Sequence, residues 1–439
     1  MPTPRFSLFA AARTIASATT LAVVLSAPLA PPALAQTVPG GTAEPFTIDV
    51  PDEVLEDLDA RLANTRLPEP IEGVGWGYGT DPAALAELVR YWREDYDWRE
   101  HEARLNELPQ FKAPIEAPNG ETLGVHFVHV PGTPVEGQDE AVPLLLLHGW
   151  PSSFVQFERI IPLLADPAAH GLPGPAFDVV APSLVGFGFS DASTMPGMSA
   201  PAMAPMMHEL MTGVLGYESY GIRSSDLGAG IAAQMTIRYP DAILGSHTGG
   251  TSPLLWFVPD DLTEEEQAFV ETAQAWDQAE MAYFKQQATK PLTLAAALND
   301  SPAGMLSWII EKFHRWSDIE GPDGVRDLAN RFTPDELLTN ATIYWVTESI
   351  GPSITLYLES TRDFGVQGQP GAPVAHLMSP KDMFPTPRSW TEKTNRVDRY
   401  TAIEEGGHFL EWEVPEIVAS DLMGFFGPDG EARPNGEAN

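Results

Sequence analysis

The segment Tyr220-Gly221-Ile222-Arg223-Ser224-Ser225-Asp226-Leu227-Gly228-Ala229-Gly230 leads into a helical pattern over Ile231–Arg238. A side chain presented at the apex of a sharp strand-to-helix turn needs small residues two before and two after it, because backbone and helix pack closely there. Asp226 meets that condition, with Ser224 and Gly228 on either side; Ser225 would be flanked by Arg223 and Leu227, and Ser224 by Ile222 and Asp226. The chain has no G-x-S-x-G. The register therefore favours a carboxylate nucleophile over a serine hydroxyl. A helix N-cap is the other role open to Asp226 on local grounds, since aspartate caps helices readily.

A nucleophile presented on such a turn is served by a general base. Glu404-Glu405-Gly406-Gly407-His408-Phe409 puts a histidine on a glycine turn near the C-terminus, where the order nucleophile, acid, histidine would place the base. The acid should follow a strand between Asp226 and His408. The run Val374–Met378 leads into Ser379-Pro380-Lys381-Asp382, and Asp382 could orient the imidazole through its second ring nitrogen. A solvated turn paired with Lys381 is its plain alternative, and Glu359 and Asp363 are rival acids. His148-Gly149-Trp150-Pro151, directly after an apolar run, reads as a tight turn whose amides could point into a site or serve structure alone.

The elements that must carry these residues follow from periodicity. Short apolar runs at 124–130, 143–147, 177–181 and 374–378, bounded by Gly, Pro or charged residues, read as strands. Unbroken Leu and Val runs mean burial on both faces, so the expected core is α/β, a mostly parallel sheet flanked by helices. Residues 45–118 read as a helical preface, with stripes Val54, Leu55, Leu58, Leu62 and Leu85, Leu88, Val89, Trp92. From Leu254 to Thr347 the pattern is helical again without strand signals, which reads as a cap inserted into the core. The expected divisions are a leader over 1–35, an N-terminal helical segment over 41–121, core over 122–253, cap over 254–347, core over 348–430 and a tail over 431–439.

Composition excludes whole classes of partner. The 439 residues carry 25 Lys plus Arg against 61 Asp plus Glu, a formal charge of −36, so nucleic acid and anionic lipid surfaces would repel the chain. The 43% hydrophobic content is enough for a large core, which assigns the acidity to a folded surface. With no cysteine there is no disulfide, thiolate–zinc site, iron–sulfur cluster or thiol nucleophile. His126 and His129 stand on a strand without a His-Glu-x-x-His pattern, and Gly186-Phe187-Gly188 lacks the third glycine of a dinucleotide loop, so neither a metal nor a cofactor is expected.

Arg5 and Arg13, an apolar stretch from Thr14 to Leu29 and Ala33-Leu34-Ala35 have the form of a signal peptide cleaved before Gln36. The stretch is interrupted by Ser, Thr and Pro28, short of the roughly 20 apolar residues of a membrane span. An exported protein of a bacterial periplasm or exterior is expected, with an uncleaved anchor as the alternative.

The joint order of His148-Gly149-Trp150-Pro151, the elbow at Asp226, Asp382 ahead of Thr386-Pro387-x-x-Trp390, and Gly406-Gly407-His408-Phe409 resembles epoxide hydrolases of the microsomal and juvenile-hormone type. Tyr91-Trp92 through Tyr96-Asp97-Trp98-Arg99, Pro109-Gln110-Phe111-Lys112, Tyr283–Pro291 and Ala297–Pro302 extend the likeness over nearly the whole chain after the leader. The resemblance implies an α/β-hydrolase fold with a helical cap and a helical N-terminal extension. It also implies a small apolar epoxide and water as reactants, and no cofactor. On this basis Asp226 is the nucleophile, His408 the base, Asp382 the orienting acid, and Tyr283 and Tyr357 the proton donors to the epoxide oxygen. Without the resemblance both tyrosines read as core or lid aromatics. Backbone amides of Trp150 and Leu227 could hold the oxyanion of the hydrolytic step.

The elbow departs from the Gly-Gly-Asp-Trp-Gly usual in that family: Ser224, Ser225 and Leu227 replace two glycines and the tryptophan. Val185 stands where the loop 182–190 favours proline in the family. Two other readings follow. A haloalkane dehalogenase shares the aspartate nucleophile but wants indole donors, which Leu227 cannot supply and Trp150 could. A catalytically inactive α/β-hydrolase-like binding protein is the other.

Overall fold

The computed structural model describes residues 43–249 and 258–432. The expected leader over 1–35, the onset of the expected cap at Leu254 and most of the tail lie outside the described residues.

Among the described residues nine strands form one sheet: β1 (Glu44–Pro45), β2 (Gln110–Glu116), β3 (Thr122–Val130), β4 (Val142–Leu147), β5 (Phe177–Pro182), β6 (Tyr220–Ser225), β7 (Ile243–Gly249), β8 (Val374–Met378) and β9 (Arg399–Ala402). Their spatial order is β1-β2-β3-β5-β4-β6-β7-β8-β9. The pairs from β5 through β4 to β9 are parallel, while β1, β2 and β3 add antiparallel neighbours at one edge. Leu144 to Leu147 and Val179 to Ala181 are fully buried, as strands covered by helices on both faces must be.

The preface is not wholly helical, which corrects the expectation. Helices Asp52–Ala63 and Pro82–Glu94 form on the two anticipated stripes and a third, Trp98–Leu105, was not anticipated, while β1 ahead of them and β2 behind them join the sheet. In β2, Phe111, Ala113 and Ile115 are buried while Pro114 and Glu116 are exposed. That is a period-2 strand whose signal Pro114 masks. The elbow strand β6 has no apolar run of its own, because Arg223, Ser224 and Ser225 break it, and the turn at Asp226 was the one sign of it.

Between β7 and β8 the described chain is helical: Glu264–Glu280, Ala282–Gln287, Pro291–Leu298, Pro302–Trp316, Pro334–Val346 and Ile350–Ser360. The insertion thus runs past the expected limit at Thr347. Ile350, Ser353, Ile354 and Tyr357 make a buried stripe at helical spacing, which packs on Pro291–Leu298 and Ala282–Gln287. The preface is tied to this cap, for instance by Trp92 Nε1 donating to Thr342 Oγ1 at 3.0 Å. Among the described residues no helix is long and apolar enough to cross a membrane.

Candidate active site

Asp226 opens the helix Asp226–Arg238 directly at the end of β6, and its φ of 49° is one of two positive values among the described non-glycine residues. A left-handed aspartate at a strand-to-helix junction is a strained apex held by its surroundings, and the strain turns the carboxylate out above the strand ends. The steric rule read from sequence has a visible cause: a Cβ at Gly228 would collide with the Leu147 and His148 carbonyls at the end of β4, and one at Gly149 with the Asp226 side chain. Ser224, on the other flank, is small enough to be fully buried.

The carboxylate oxygens have different partners. Trp150 N–H donates to Oδ1 at 2.9 Å, and His408 Nε2 lies 3.5 Å from Oδ2. The His148 to Pro151 turn that supplies this amide is itself fixed: Leu184 N–H donates to His148 Nε2 at 3.2 Å, and Nδ1 faces the Gly149 carbonyl at 3.0 Å. These partners require a neutral ring protonated on Nδ1, and burial pushes His148 down to about 4. The N–H of Leu227 belongs to the first helical turn, where amides lack intrahelical acceptors.

On its other side His408 Nδ1 meets Asp382 Oδ1 at 2.8 Å. The rival acids are engaged elsewhere: Glu359 accepts from Gly197 N–H at 3.1 Å and Asp363 from Ser199 Oγ at 2.5 Å. Burial of His408 works against its charge, but the charge of Asp382 and the bond and charge of Asp226 outweigh it and raise the imidazole to about 10. The ring is therefore an imidazolium while Asp226 is free.

Tyr283 and Tyr357 close the site from the cap. Tyr283 is stacked on Trp150 with centroids 5.7 Å apart, Tyr357 stands edge-on to Trp150 at 5.9 Å, and the two phenol rings lie 6.2 Å apart. Both are held well above the ordinary tyrosine value, first by burial and then by the Asp226 carboxylate, so both stay protonated. The buried Tyr357 hydroxyl is turned toward that of Tyr283, and Trp150 Nε1 is buried without a hydrogen-bond partner among the described residues. Such an unpaired donor is rare in folded proteins and suits an oxygen that arrives with a ligand. Sequence reasoning missed Lys312, whose buried ammonium sits 4.5 Å from the Tyr283 ring centroid. Its place in the helix Pro302–Trp316 reads from sequence as an ordinary solvated position.

The seven expected residues thus converge at the carboxyl ends of the parallel strands, and the sheet order, elbow and inserted helical cap define the α/β-hydrolase fold. Residues 43–157 match the family described as epoxide hydrolase N terminus, and residues 142–305 match the alpha/beta hydrolase fold. A putative epoxide hydrolase of Stigmatella aurantiaca is 37% identical over 87% of this chain and 84% of its own length. Epoxide hydrolase 1 of Sus scrofa is 34% identical over 87% and 88%. Among solved structures, juvenile hormone epoxide hydrolase of Bombyx mori superposes with a TM-score of 0.73 at 34% identity, covering 88% of this chain and 93% of that one. The Aspergillus niger epoxide hydrolase gives 0.75 at 29% identity, covering 87% and 95%. The chain belongs to the epoxide hydrolase family. It is accordingly an enzyme whose reactants are an epoxide and water, and not an inactive binding protein.

Proposed function

We propose that this enzyme opens a small apolar epoxide to a vicinal diol through an ester on Asp226. The carrying observation is the Asp226 carboxylate itself: it stands on a strained elbow, one oxygen anchored by the Trp150 amide and the other within reach of His408, with two protonated tyrosines across the site. Oδ2 attacks an epoxide carbon, the C–O bond breaks, and the departing oxygen takes a proton from Tyr283 or Tyr357.

Esterification removes the charge of Asp226, one of the two groups that keep His408 protonated. The imidazolium then gives its proton to the phenolate left by ring opening, and the neutral imidazole becomes a base able to take a proton from water, while Asp382 holds its tautomer and stabilises the imidazolium that forms again. Water attacks the ester carbonyl, and the oxyanion is received by the Trp150 amide, already aimed at Oδ1, and by that of Leu227. Collapse releases the diol, whose departing oxygen takes the remaining proton of the water, and restores the Asp226 carboxylate beside a protonated His408, as in the free enzyme.

The test is intact-mass analysis of His408→Gln incubated with styrene oxide. An adduct of epoxide mass on Asp226 is expected; its absence would remove the ester from the mechanism. Parallel incubation with 1-haloalkanes tests the dehalogenase reading, which requires halide release without diol from epoxides.

The basic start, apolar stretch and Ala33-Leu34-Ala35 support export to a periplasm or the exterior after cleavage near Ala35. N-terminal sequencing of the protein from its native host should begin at Gln36, and an intact Met1 end would sink the proposal.

A further inference from the structure

The mechanism above asks one ring nitrogen of His408 to face Asp382 and the other to face the ester and its water. That aim depends on the backbone carrying the ring. The base turn is held by its amides: His408 N–H donates to the Trp316 carbonyl at 2.9 Å, and Gly406 N–H to Asp318 Oδ2 at 3.1 Å. Ser379 Oγ, from the loop that also carries Asp382, donates to the Gly406 carbonyl.

The amides on either side of His408 converge on one side chain. Glu413 Oε2 accepts from Gly407 N–H at 2.9 Å, and Oε1 accepts from Phe409 N–H at 2.9 Å. Oε2 also accepts from Asp318 N–H at 2.7 Å, two residues beyond the cap helix Pro302–Trp316. That same helix presents Trp316 edge-on to the His408 ring at 5.3 Å and Lys312 to Tyr283. Glu413 is buried, and burial pushes its carboxyl up to about 7 even with three amides and Arg331 favouring its charge. A carboxylate kept at such a place against the cost of desolvation marks a position where geometry is being fixed.

We propose that Glu413 is the positioning residue of the general base, a carboxylate that ties both amides flanking His408 to the end of the cap helix and so sets the imidazole against Asp226 and Asp382 when the cap is docked. The inference rests on the ester reading of Asp226 and His408. Its consequence is selective. Ester formation uses Asp226 and the tyrosines, whereas ester hydrolysis uses the aimed imidazole, so loss of the clamp falls on the second step.

Glu413→Gln keeps the volume but turns one end of the group into a donor that faces a donor. Rapid-quench kinetics with styrene oxide separate the two steps, with the melting temperature as a control. We expect ester hydrolysis to slow at least tenfold, the ester to accumulate, and its formation to change less than threefold. Glu413→Asp, which keeps the charge on a shorter arm, should hydrolyse the ester faster than Gln, and it carries the same test if the Gln variant does not fold. Equal losses in both steps, or unchanged ester hydrolysis, would overturn the proposal. An ester trapped in His408→Gln combined with wild-type hydrolysis in Glu413→Gln removes this inference alone, while no ester in His408→Gln removes the reading beneath it.

Discussion

Trp150 N–H donates to one oxygen of Asp226 at 2.9 Å and leaves the other 3.5 Å from His408 Nε2, so the two oxygens of one carboxylate are already differentiated. The amide that orients the nucleophile is also placed to receive the oxyanion later. Asp226→Asn keeps the shape but loses the nucleophile and the charge that raises His408. It should lower turnover on the order of 10⁴-fold or more with no trapped adduct. Diol production at wild-type rates would rule out Asp226 as nucleophile.

Asp382 is matched to His408 by a 2.8 Å contact that fixes which ring nitrogen carries the proton. Asp382→Asn removes the stabilising charge and can present its amide N–H₂ toward Nδ1, favouring the wrong tautomer. Ester hydrolysis should drop by roughly 10²- to 10⁴-fold while ester formation persists. Single-turnover mass analysis reads both steps; a variant that keeps wild-type steady-state turnover would discard Asp382 as the orienting acid.

The two tyrosines share one task from different elements, Tyr283 on the short helix Ala282–Gln287 and Tyr357 on Ile350–Ser360. Removing one donor leaves the other. Tyr283→Phe should slow ester formation by about 10- to 100-fold, and the double variant with Tyr357→Phe by on the order of 10⁴-fold, within the range of general-acid contributions. If the double variant still forms ester at the wild-type rate, another acid serves the epoxide oxygen.

The pH dependence has a definite sign. In the free enzyme His408 is raised to about 10 by Asp382 and Asp226 together, against the opposing effect of burial. The ester is uncharged, so the imidazole value must fall once Asp226 is alkylated. Below that lowered value the ring is protonated and hydrolysis should decline about tenfold per pH unit, and above it the rate should level off. The kinetic value for ester hydrolysis should therefore lie below the imidazole value of the resting enzyme measured by nitrogen NMR. Coincidence of the two would contradict the role given to the Asp226 charge.

Behind the elbow, Arg223 Nε donates to Glu411 Oε1 at 2.7 Å, Gln156 Nε2 donates to Glu411 Oε2 at 2.5 Å, and Arg223 faces His247 Nδ1 at 3.0 Å. His247 Nε2 continues the chain to Asp421 at 2.9 Å. Arg223 and Glu411 are both fully buried, so removing one leaves a charge without compensation. Glu411→Leu should cost about 3–5 kcal/mol in urea unfolding, and the Arg223→Met, Glu411→Leu double variant should recover most of that loss. A double variant as unstable as the single would show that the pair contributes more than mutual neutralisation.

The elbow at Asp226, the strands later seen as β3, β4, β5 and β8, and the helical stripes of the preface were legible from residue order, because turn sterics, two-faced burial and helical period are local properties of a chain. β2 was not, since Pro114 interrupts it, and β6 was implied by the elbow alone, since Arg223 with two serines breaks its apolar run; only neighbours distant in sequence make those residues acceptable in a sheet. The same division runs through the site. Sequence alone offered Asp382, Glu359 and Asp363 as acids and left Asp226 between cap and nucleophile; the fold put Asp382 beside His408 and turned the other two toward Gly197 and Ser199. Lys312 and Glu413 look like ordinary surface charges in a chain this acidic. The burial of both, and the bond from Asp318 N–H to Glu413, exist only once the cap helix has docked on the base turn, because a contact between residues 95 positions apart is a property of packing and leaves no pattern in sequence spacing.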